Sequence, residues 1–148
     1  MTKKSLAIVG IVGVPASYGG FETLVEYILP DLSKKIDITV FCESRSYQNK
    51  LTEYKGAKLK YIAFKANGAQ SIIYDLISIL KSLFKSDVIL VLGVSAAIFF
   101  PLVKLFSKSK IICHIDGLEW KRNKWGFLEK MFLKLSEYFA VKFSHTVI

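Results

Sequence analysis

Short apolar runs that alternate with helix-like segments are the feature that most constrains the fold of this chain. The runs are rich in valine and isoleucine and mostly lack the polar alternation of a half-exposed strand, which is typical of strands buried on both faces. Between them, apolar residues recur at the three- and four-residue spacing of amphipathic helices. We predict strands at residues 6–12, 36–42, 59–64, 88–92 and 111–115, and helices at residues 22–34, 71–84, 95–106 and 127–143. This order predicts an α/β fold with a doubly wound, mostly parallel, Rossmann-like sheet.

The length and the hydropathy of the chain suit one packed domain. Its 148 residues, of which 52% are hydrophobic, allow a sizeable core, so we assign residues 1–148 to a single domain. The uncharged stretch 88–103 is too short to span a bilayer and contains Gly93 and Pro101, so we expect no transmembrane segment. Residues 145–148 resemble the start of a further strand, and we expect the native product to continue beyond Ile148.

The charge balance points to anionic partners. Lys and Arg number 21 against 12 Asp and Glu, a net charge of +9, which suits phosphorylated substrates or an anionic membrane surface. Only Arg45 and Arg122 are arginines, the residue that leads in reading bases, so we do not expect nucleic acid binding. Cys42 and Cys113 lie far apart and are expected to be buried free thiols. No Cys or His pair has zinc spacing, so we predict neither a metal site nor a resident cofactor.

Residues 13–20, between the first predicted strand and helix, form the first candidate site. Gly19 and Gly20 precede the helix, where absent Cβ atoms and unpaired N–H groups suit a diphosphate. An equally good interpretation is a strained turn that uses glycine for positive φ. No dinucleotide fingerprint is present, which argues against a nucleotide-dependent oxidoreductase. Tyr18 could stack on a sugar or plug the loop, and Glu22 could contact a sugar hydroxyl, act as a base or simply favour the helix dipole.

Residues 114–126, HIDGLEWKRNKWG, form the second candidate site. They follow the fifth predicted strand and combine carboxylates, two tryptophans and three cations, a set that suits sugar and phosphate recognition. The candidate residues are His114, Asp116, Glu119 and Trp120. The alternatives are a surface loop pinned by its tryptophans, a turn at Asp116, and a core histidine at position 114. A third candidate is the segment 92–95, in which Gly93 lies between the fourth strand and its helix and could approach a ligand. Ser95 could equally be an ordinary helix N-cap.

Three segments carry a family resemblance. GVPASYGGFETLVEYI, LGVSAAIFFPLV and IDGLEWKRNKWG together resemble the N-terminal domain of bacterial rhamnosyltransferases and related glycosyltransferases of the group 1, family 4 type. The resemblance implies the acceptor-side half of a GT-B enzyme, whose C-terminal donor-binding domain is absent from this chain. Such enzymes transfer a sugar with retention, typically L-rhamnose from dTDP-rhamnose, to a lipid-diphosphate-linked saccharide. They build capsule or cell-wall polysaccharide at the cytoplasmic face of the plasma membrane.

The resemblance also implies roles for individual residues. Gly19 and Gly20 would face the donor diphosphate, Glu22 would line the cleft, and Asp116 would take the catalytic position. Glu119 and Trp120 belong to the matching motif. The chain departs from its relatives at Ile11-Val12, where a polar-basic pair is common, and at His114, where a small polar residue is common.

The isolated domain is expected to be inactive, because the nucleotide pocket would lie in the missing half. The alternative is a non-catalytic binding module, or a truncated half-enzyme that needs a separate C-terminal partner. If the acceptor is membrane-bound, cationic helices would hold the domain peripherally against anionic lipid. The candidate lysines for that surface are Lys104, Lys108, Lys130 and Lys134.

Overall fold

The computed structural model describes residues 3–148, which form an α/β domain around one twisted sheet. The strands are β1 (Ser5–Val9), β2 (Asp37–Glu43), β3 (Glu53–Tyr54), β4 (Ala57–Ile62), β5 (Val88–Leu92), β6 (Lys110–His114) and β7 (Thr146–Val147). The helices are α1 (Gly20–Leu32), α2 (Ser71–Ser82), α3 (Phe100–Phe106) and α4 (Phe127–Phe143). The order across the sheet is β3-β4-β2-β1-β5-β6-β7, and every neighbouring pair is parallel except β3 with β4.

The sheet is covered on both faces, as the continuous apolar runs predict. In β1, Leu6 and Ile8 face one core with α1, whereas Ala7 and Val9 face the other core with α2, α3 and α4. A strand that packs on both faces has no polar side, which is why its sequence shows no alternation. Cys42 and Cys113 are buried free thiols, as expected.

The connectivity reverses between β1 and β5. From β1 the chain moves outward to β2 and then β4, returns to β5, and continues the other way to β6 and β7. In open parallel sheets, ligands bind beyond the C-terminal ends of the strands at this kind of switch point. The fold therefore directs attention to the carboxyl edge of the sheet, meaning the edge at which its parallel strands end.

The structure departs from the prediction in three places. The first strand was predicted at residues 6–12 but ends at Val9, because Gly10 turns the chain with a φ of 90°. The segment 95–106 is not one helix: a 3₁₀ turn at Ser95–Phe99 precedes α3, because Pro101 lacks the N–H that a continuous helix needs. The second half of this segment is also not buried as expected, since Leu105 is 73% exposed. The short strand β3 was not predicted, and no α-helix connects β2 to β4.

Within residues 3–148, none of the helices is both long enough and apolar enough to cross a membrane.

Candidate functional site

Loops that follow β1, β5 and β6 meet at the carboxyl edge. We call residues 10–19 the β1 loop and residues 115–126 the β6 loop. Phe21, at the start of α1, packs edge-on against His114 at the end of β6, with ring centroids 5.0 Å apart and an interplanar angle of 81°. The Gly93 N–H, just after β5, donates to the His114 carbonyl at 2.9 Å. The structure thus brings the two sequence motifs together, as parallel topology requires.

The glycines around the β1 loop divide into two kinds. Gly10 and Gly13 have φ of 90° and 132°, and a Cβ on either would overlap neighbouring atoms of Leu92 or Cys42. Gly19 has a φ of −150°, and a Cβ on Gly20 would meet nothing within 4 Å. Positive φ therefore explains Gly10 and Gly13 but not the pair at the helix N-terminus, where only Gly20 has open space, since a Cβ on Gly19 would lie 3.1 Å from Glu22 Oε2.

Two glutamates of α1, one helical turn apart, hold the β1 loop. Glu22 is buried, and its Oε1 accepts the Val12 N–H at 2.9 Å. Glu26 accepts the Ala16 N–H at 2.7 Å through Oε2. The contact to Val12 makes Glu22 a positioning residue for the loop. Glu26 was missed by the sequence analysis, although its spacing of four from Glu22 places both on one side of α1.

The environment of Glu26 keeps it ionised. The Tyr54 hydroxyl donates to its Oε1, and the Lys55 ammonium lies 3.1 Å from the same oxygen. The hydrogen bond from Tyr54, followed by that from the Ala16 N–H, lowers the pKa of Glu26 to about 2. The Glu26 carboxylate therefore remains charged, and accepts both hydrogen bonds, throughout the physiological pH range.

Helix α2 makes hydrogen bonds to two segments at the carboxyl edge. The Tyr74 hydroxyl donates to the Ile11 carbonyl at 2.9 Å, and the Ser95 hydroxyl donates to Asp75 Oδ2 at 2.6 Å. The N-cap interpretation of Ser95 is wrong, because Val94 occupies the cap position of the 3₁₀ turn. Adjacent residues of α2 thus fix the segments that follow β1 and β5.

Asp75 is an unusual support because it is a buried acid. It is 1% exposed, and its Oδ1 has no hydrogen-bond partner among residues 3–148. Burial raises the pKa of Asp75 to about 7, and the hydrogen bond from Ser95 opposes that effect. The carboxyl is therefore largely protonated below neutral pH while the unfolded chain would be ionised.

The stability of Asp75→Asn relative to the wild type is expected to increase as pH rises. Below the ordinary pKa near 3.8, both folded and unfolded carboxyls are protonated. Between there and about pH 7 only the unfolded state ionises, so the wild type loses stability that the amide retains. The difference should grow by at most about 4 kcal/mol and then level off.

Urea unfolding of both proteins from pH 4.5 to pH 8.5 measures how this difference in free energy of unfolding changes with pH. Any constant effect of the amide side chain on stability does not alter that change. Asp37→Asn is the matched control, because Asp37 is exposed at the start of β2. A difference between Asp75→Asn and wild type that stays constant across the range would contradict a buried, neutral Asp75.

The β6 loop is held by its own Glu119 and by Glu137 of α4. The Glu119 carboxylate accepts the Trp125 Nε1–H at 3.2 Å and pairs with Arg122 at 3.2 Å and Lys124 at 3.1 Å. The Trp120 Nε1–H donates to Glu137 of α4 at 3.0 Å. Both tryptophans pack against the core, as the pinned-loop interpretation predicted. Glu119 and Trp120 are thus directed into the loop and toward α4, not toward the β1 loop.

The remaining candidates at the carboxyl edge are less constrained. Asp116 is exposed, and no hydrogen bond to its carboxylate occurs within the described part of the chain. His114 is half-buried, and its Nδ1 is buried without a partner among the same residues. Tyr18 is 71% exposed, so it does not plug the loop. A carboxylate, a phenol and an open helix N-terminus are therefore available here to a polar ligand.

Two cavities are lined by neither the β1 loop nor Asp116. One of about 710 Å³ lies at the opposite edge of the sheet, where Ser5, Val88 and Lys110 begin β1, β5 and β6. Lys108 also lines this cavity. One of about 330 Å³ lies between the β6 loop and α4 and includes Lys130 and Lys134. The lysines predicted to form one membrane surface therefore do not share a cavity. Residues 3–148 contain no cluster of His, Cys, Asp or Glu that could hold a metal ion.

One family model matches the chain from residue 3 to residue 148, and its description is "Domain of unknown function (DUF1972)". The chain belongs to this family. The match to DUF1972 spans all strands from β1 to β7 and both loops of the candidate site. No curated protein matches the chain.

Proposed function

We propose that this DUF1972 domain is the acceptor-side half of a retaining glycosyltransferase with two facing Rossmann-like domains, the GT-B arrangement. In this proposal the enzyme transfers a sugar, L-rhamnose from dTDP-rhamnose, to a lipid-diphosphate-linked saccharide. The product belongs to cell-surface polysaccharide, and the reaction takes place at the cytoplasmic face of the plasma membrane. The proposal rests on the resemblance of the two loop motifs and on their arrangement at the carboxyl edge.

The observation that carries the proposal is the open N-terminus of α1 beside the β6 loop. Among residues 3–148, no side chain caps the first N–H groups of this 13-residue helix at the switch point of the sheet, and Gly20 is exposed with open space where a Cβ would lie. A diphosphate is the ligand that such backbone groups and the helix dipole favour. The contact between Phe21 and His114 joins the start of α1 to the end of β6, two residues before Asp116.

The proposed roles follow from exposure and hydrogen bonding. Asp116, with an exposed carboxylate and no partner in the described chain, is placed beside the reacting sugar. Tyr18 offers an exposed ring for stacking on the acceptor. Glu22 acts through the β1 loop that it holds, and not by lining the cleft as its family counterpart would.

The donor nucleotide would be bound by the second domain, so the isolated DUF1972 domain is proposed to be inactive alone. The alternative function is a non-catalytic module that binds the lipid-linked saccharide for another protein. The enzyme and the binding module differ in what a cell without the gene can do. Without the enzyme the sugar is not attached, whereas without the binding module another enzyme still attaches it.

Deletion of the gene is expected to remove one sugar residue from the surface polysaccharide, because the proposed enzyme attaches it. Compositional and linkage analysis of the polysaccharide measures the change, and re-expression of the native gene should restore the wild-type composition. An unchanged polysaccharide after deletion would contradict the enzyme proposal. A polysaccharide of normal composition but reduced amount would favour the binding module.

A further inference from the structure

Helix α4 presents an apolar and cationic surface to solvent. Leu133, Ser136 and Ala140 face the core, whereas large apolar side chains between 46% and 77% exposed lie on the other side. The exposed apolar residues are Phe127, Leu128, Met131, Leu135, Tyr138 and Val141. Lysines interrupt this surface at helical spacing: Lys130, Lys134 and Lys142. We call these nine residues the α4 surface, and side chains of this kind in one patch mark an interaction site.

The α4 surface contains no acid. The acids of α4 are Glu129 and Glu137. Glu137 accepts the Trp120 indole N–H, and Glu129 reaches back to the helix start beside Gly126. Positive charge on this surface is therefore not neutralised by the helix that carries it.

A small cavity adjoins the N-terminal end of the α4 surface. Its volume is about 330 Å³, and Trp120, Phe127 and Met131 line it together with three lysines, Lys121, Lys130 and Lys134. Lys134 Nζ lies 4.3 Å from the Trp120 ring centroid, and Lys121 Nζ lies 5.5 Å from it. Among residues 3–148, none of the three lysines has a carboxylate within 4.0 Å. Three unpaired ammonium groups around one cavity suit a phosphate group.

We propose that the domain docks through α4 on an anionic bilayer and that the Trp120 cavity binds the phosphate of a lipid headgroup. The apolar side chains of the α4 surface then enter the boundary between headgroups and acyl chains, where an amphipathic helix rich in lysine binds. Charge complementarity selects this occupant. A second copy of the chain, itself at +9, would bring the same lysines together, which like-charge repulsion opposes.

Docking through α4 also orients the candidate site. Helix α4 begins directly after the β6 loop, so a bilayer against its first turns lies next to the carboxyl edge of the sheet. A lipid-linked acceptor would then reach Asp116 without leaving the membrane. This orientation rests on the proposed function, whereas docking itself does not.

Vesicle binding of the full chain tests the docking. The chain is expected to bind vesicles that contain phosphatidylglycerol and not vesicles of phosphatidylcholine alone. Lys130→Gln/Lys134→Gln should weaken this binding roughly 30-fold, since each lysine near an anionic surface contributes about 1 kcal/mol. Lys58→Gln/Lys60→Gln removes the same charge from exposed positions of β4 and should change binding less than about threefold. Equal effects of the two double variants, or equal binding to both kinds of vesicle, would overturn the proposal.

The apolar contribution has its own matched pair. Phe127→Ser should weaken vesicle binding about tenfold, whereas Tyr27→Ser, at an equally exposed aromatic on α1, should leave it unchanged. Equal losses in both variants would contradict docking through α4.

The cavity itself can be observed through its tryptophan. The chain has two tryptophans, so Trp125→Phe leaves Trp120 as the reporter. Its emission should shift to the blue on anionic vesicles and stay unchanged with inorganic phosphate alone. An equal shift with free phosphate would make a soluble phosphate the ligand and contradict the bilayer. Because these measurements use no sugar transfer, normal vesicle binding without transfer would count only against the proposed function.

Discussion

Gly10→Ala is expected to destabilise the domain by about 3 kcal/mol or more. Gly10 follows β1 with a φ of 90°, and a Cβ there would lie 2.3 Å from the backbone oxygen of Leu92 at the end of β5. Overpacking of this kind costs about 1–3 kcal/mol, and the left-handed backbone adds about 1–2 kcal/mol for a residue with a Cβ. A backbone oxygen cannot rotate away, so β1 and β5 would have to separate at the switch point.

Two other glycines separate the contributions to this loss. Gly68 has a φ of 72° but open space where a Cβ would lie, so Gly68→Ala should lower the free energy of unfolding by only about 1 kcal/mol. Gly20 lies in α1 without positive φ and has open space where a Cβ would lie. Gly20→Ala should therefore be neutral or stabilise the domain by up to about 1 kcal/mol. Urea unfolding measures all three, and a Gly10→Ala variant no less stable than Gly68→Ala would contradict the close approach of β1 and β5.

Asp116→Asn is expected to reduce sugar transfer by about 100-fold or more while leaving stability within about 0.5 kcal/mol of the wild type. Asp116 is exposed, and its carboxylate accepts no hydrogen bond within the described residues, so the fold loses nothing when the charge is removed. The proposed reaction, in contrast, needs a carboxylate beside the reacting sugar.

Asp37→Asn provides the control for this variant in the same transfer measurement. Asp37 is also exposed but starts β2 at the opposite edge of the sheet, far from the β6 loop. Its activity should equal that of the wild type. Full activity of Asp116→Asn would remove Asp116 from the catalytic position, and an equal loss in both variants would indicate a general effect of charge.

Much of the architecture was predictable because strands buried on both faces appear in the sequence as continuous apolar runs. The register of β1 with β2 and β5 places Ala7 beside Thr39 and Ile89, in the middle of the sheet. The apolar runs there predicted β2 and β5 to within one residue, whereas the predicted end of β1 was three residues too late. Helix α4 was predicted with its observed bounds, since its apolar spacing continues from Phe127 to Phe143.

The short strand β3 could not be predicted from hydrophobic pattern, because two residues carry no periodicity. Its position depends on a tight hairpin turn, in which Lys55 and Gly56 both have positive φ, at 47° and 80°. Such turns usually contain Asn-Gly or Asp-Gly, so Lys55-Gly56 is a weak signal.

The supports of the candidate site were the least predictable part. Asp75 and Ser95 are 20 residues apart in the chain, and Glu26 and Tyr54 are 28 apart, so only the packed structure pairs them. Glu22 was proposed from the sequence for a ligand contact, whereas its contact with the Val12 N–H depends on how the β1 loop folds. The sequence thus indicated two candidate loops, whereas the structure shows which side chains hold them in place.

Transfer of sugar by the native gene product tests the central proposal most directly. The product, purified from its own cells, would be incubated with labelled nucleotide sugars, including dTDP-rhamnose, and with lipid extracted from the same membranes. We predict labelled saccharide-lipid from the native product and none from residues 1–148 alone, because the donor pocket would lie in the second domain. No labelled lipid from the native product with any donor, in extracts that contain the acceptor, would contradict the glycosyltransferase proposal.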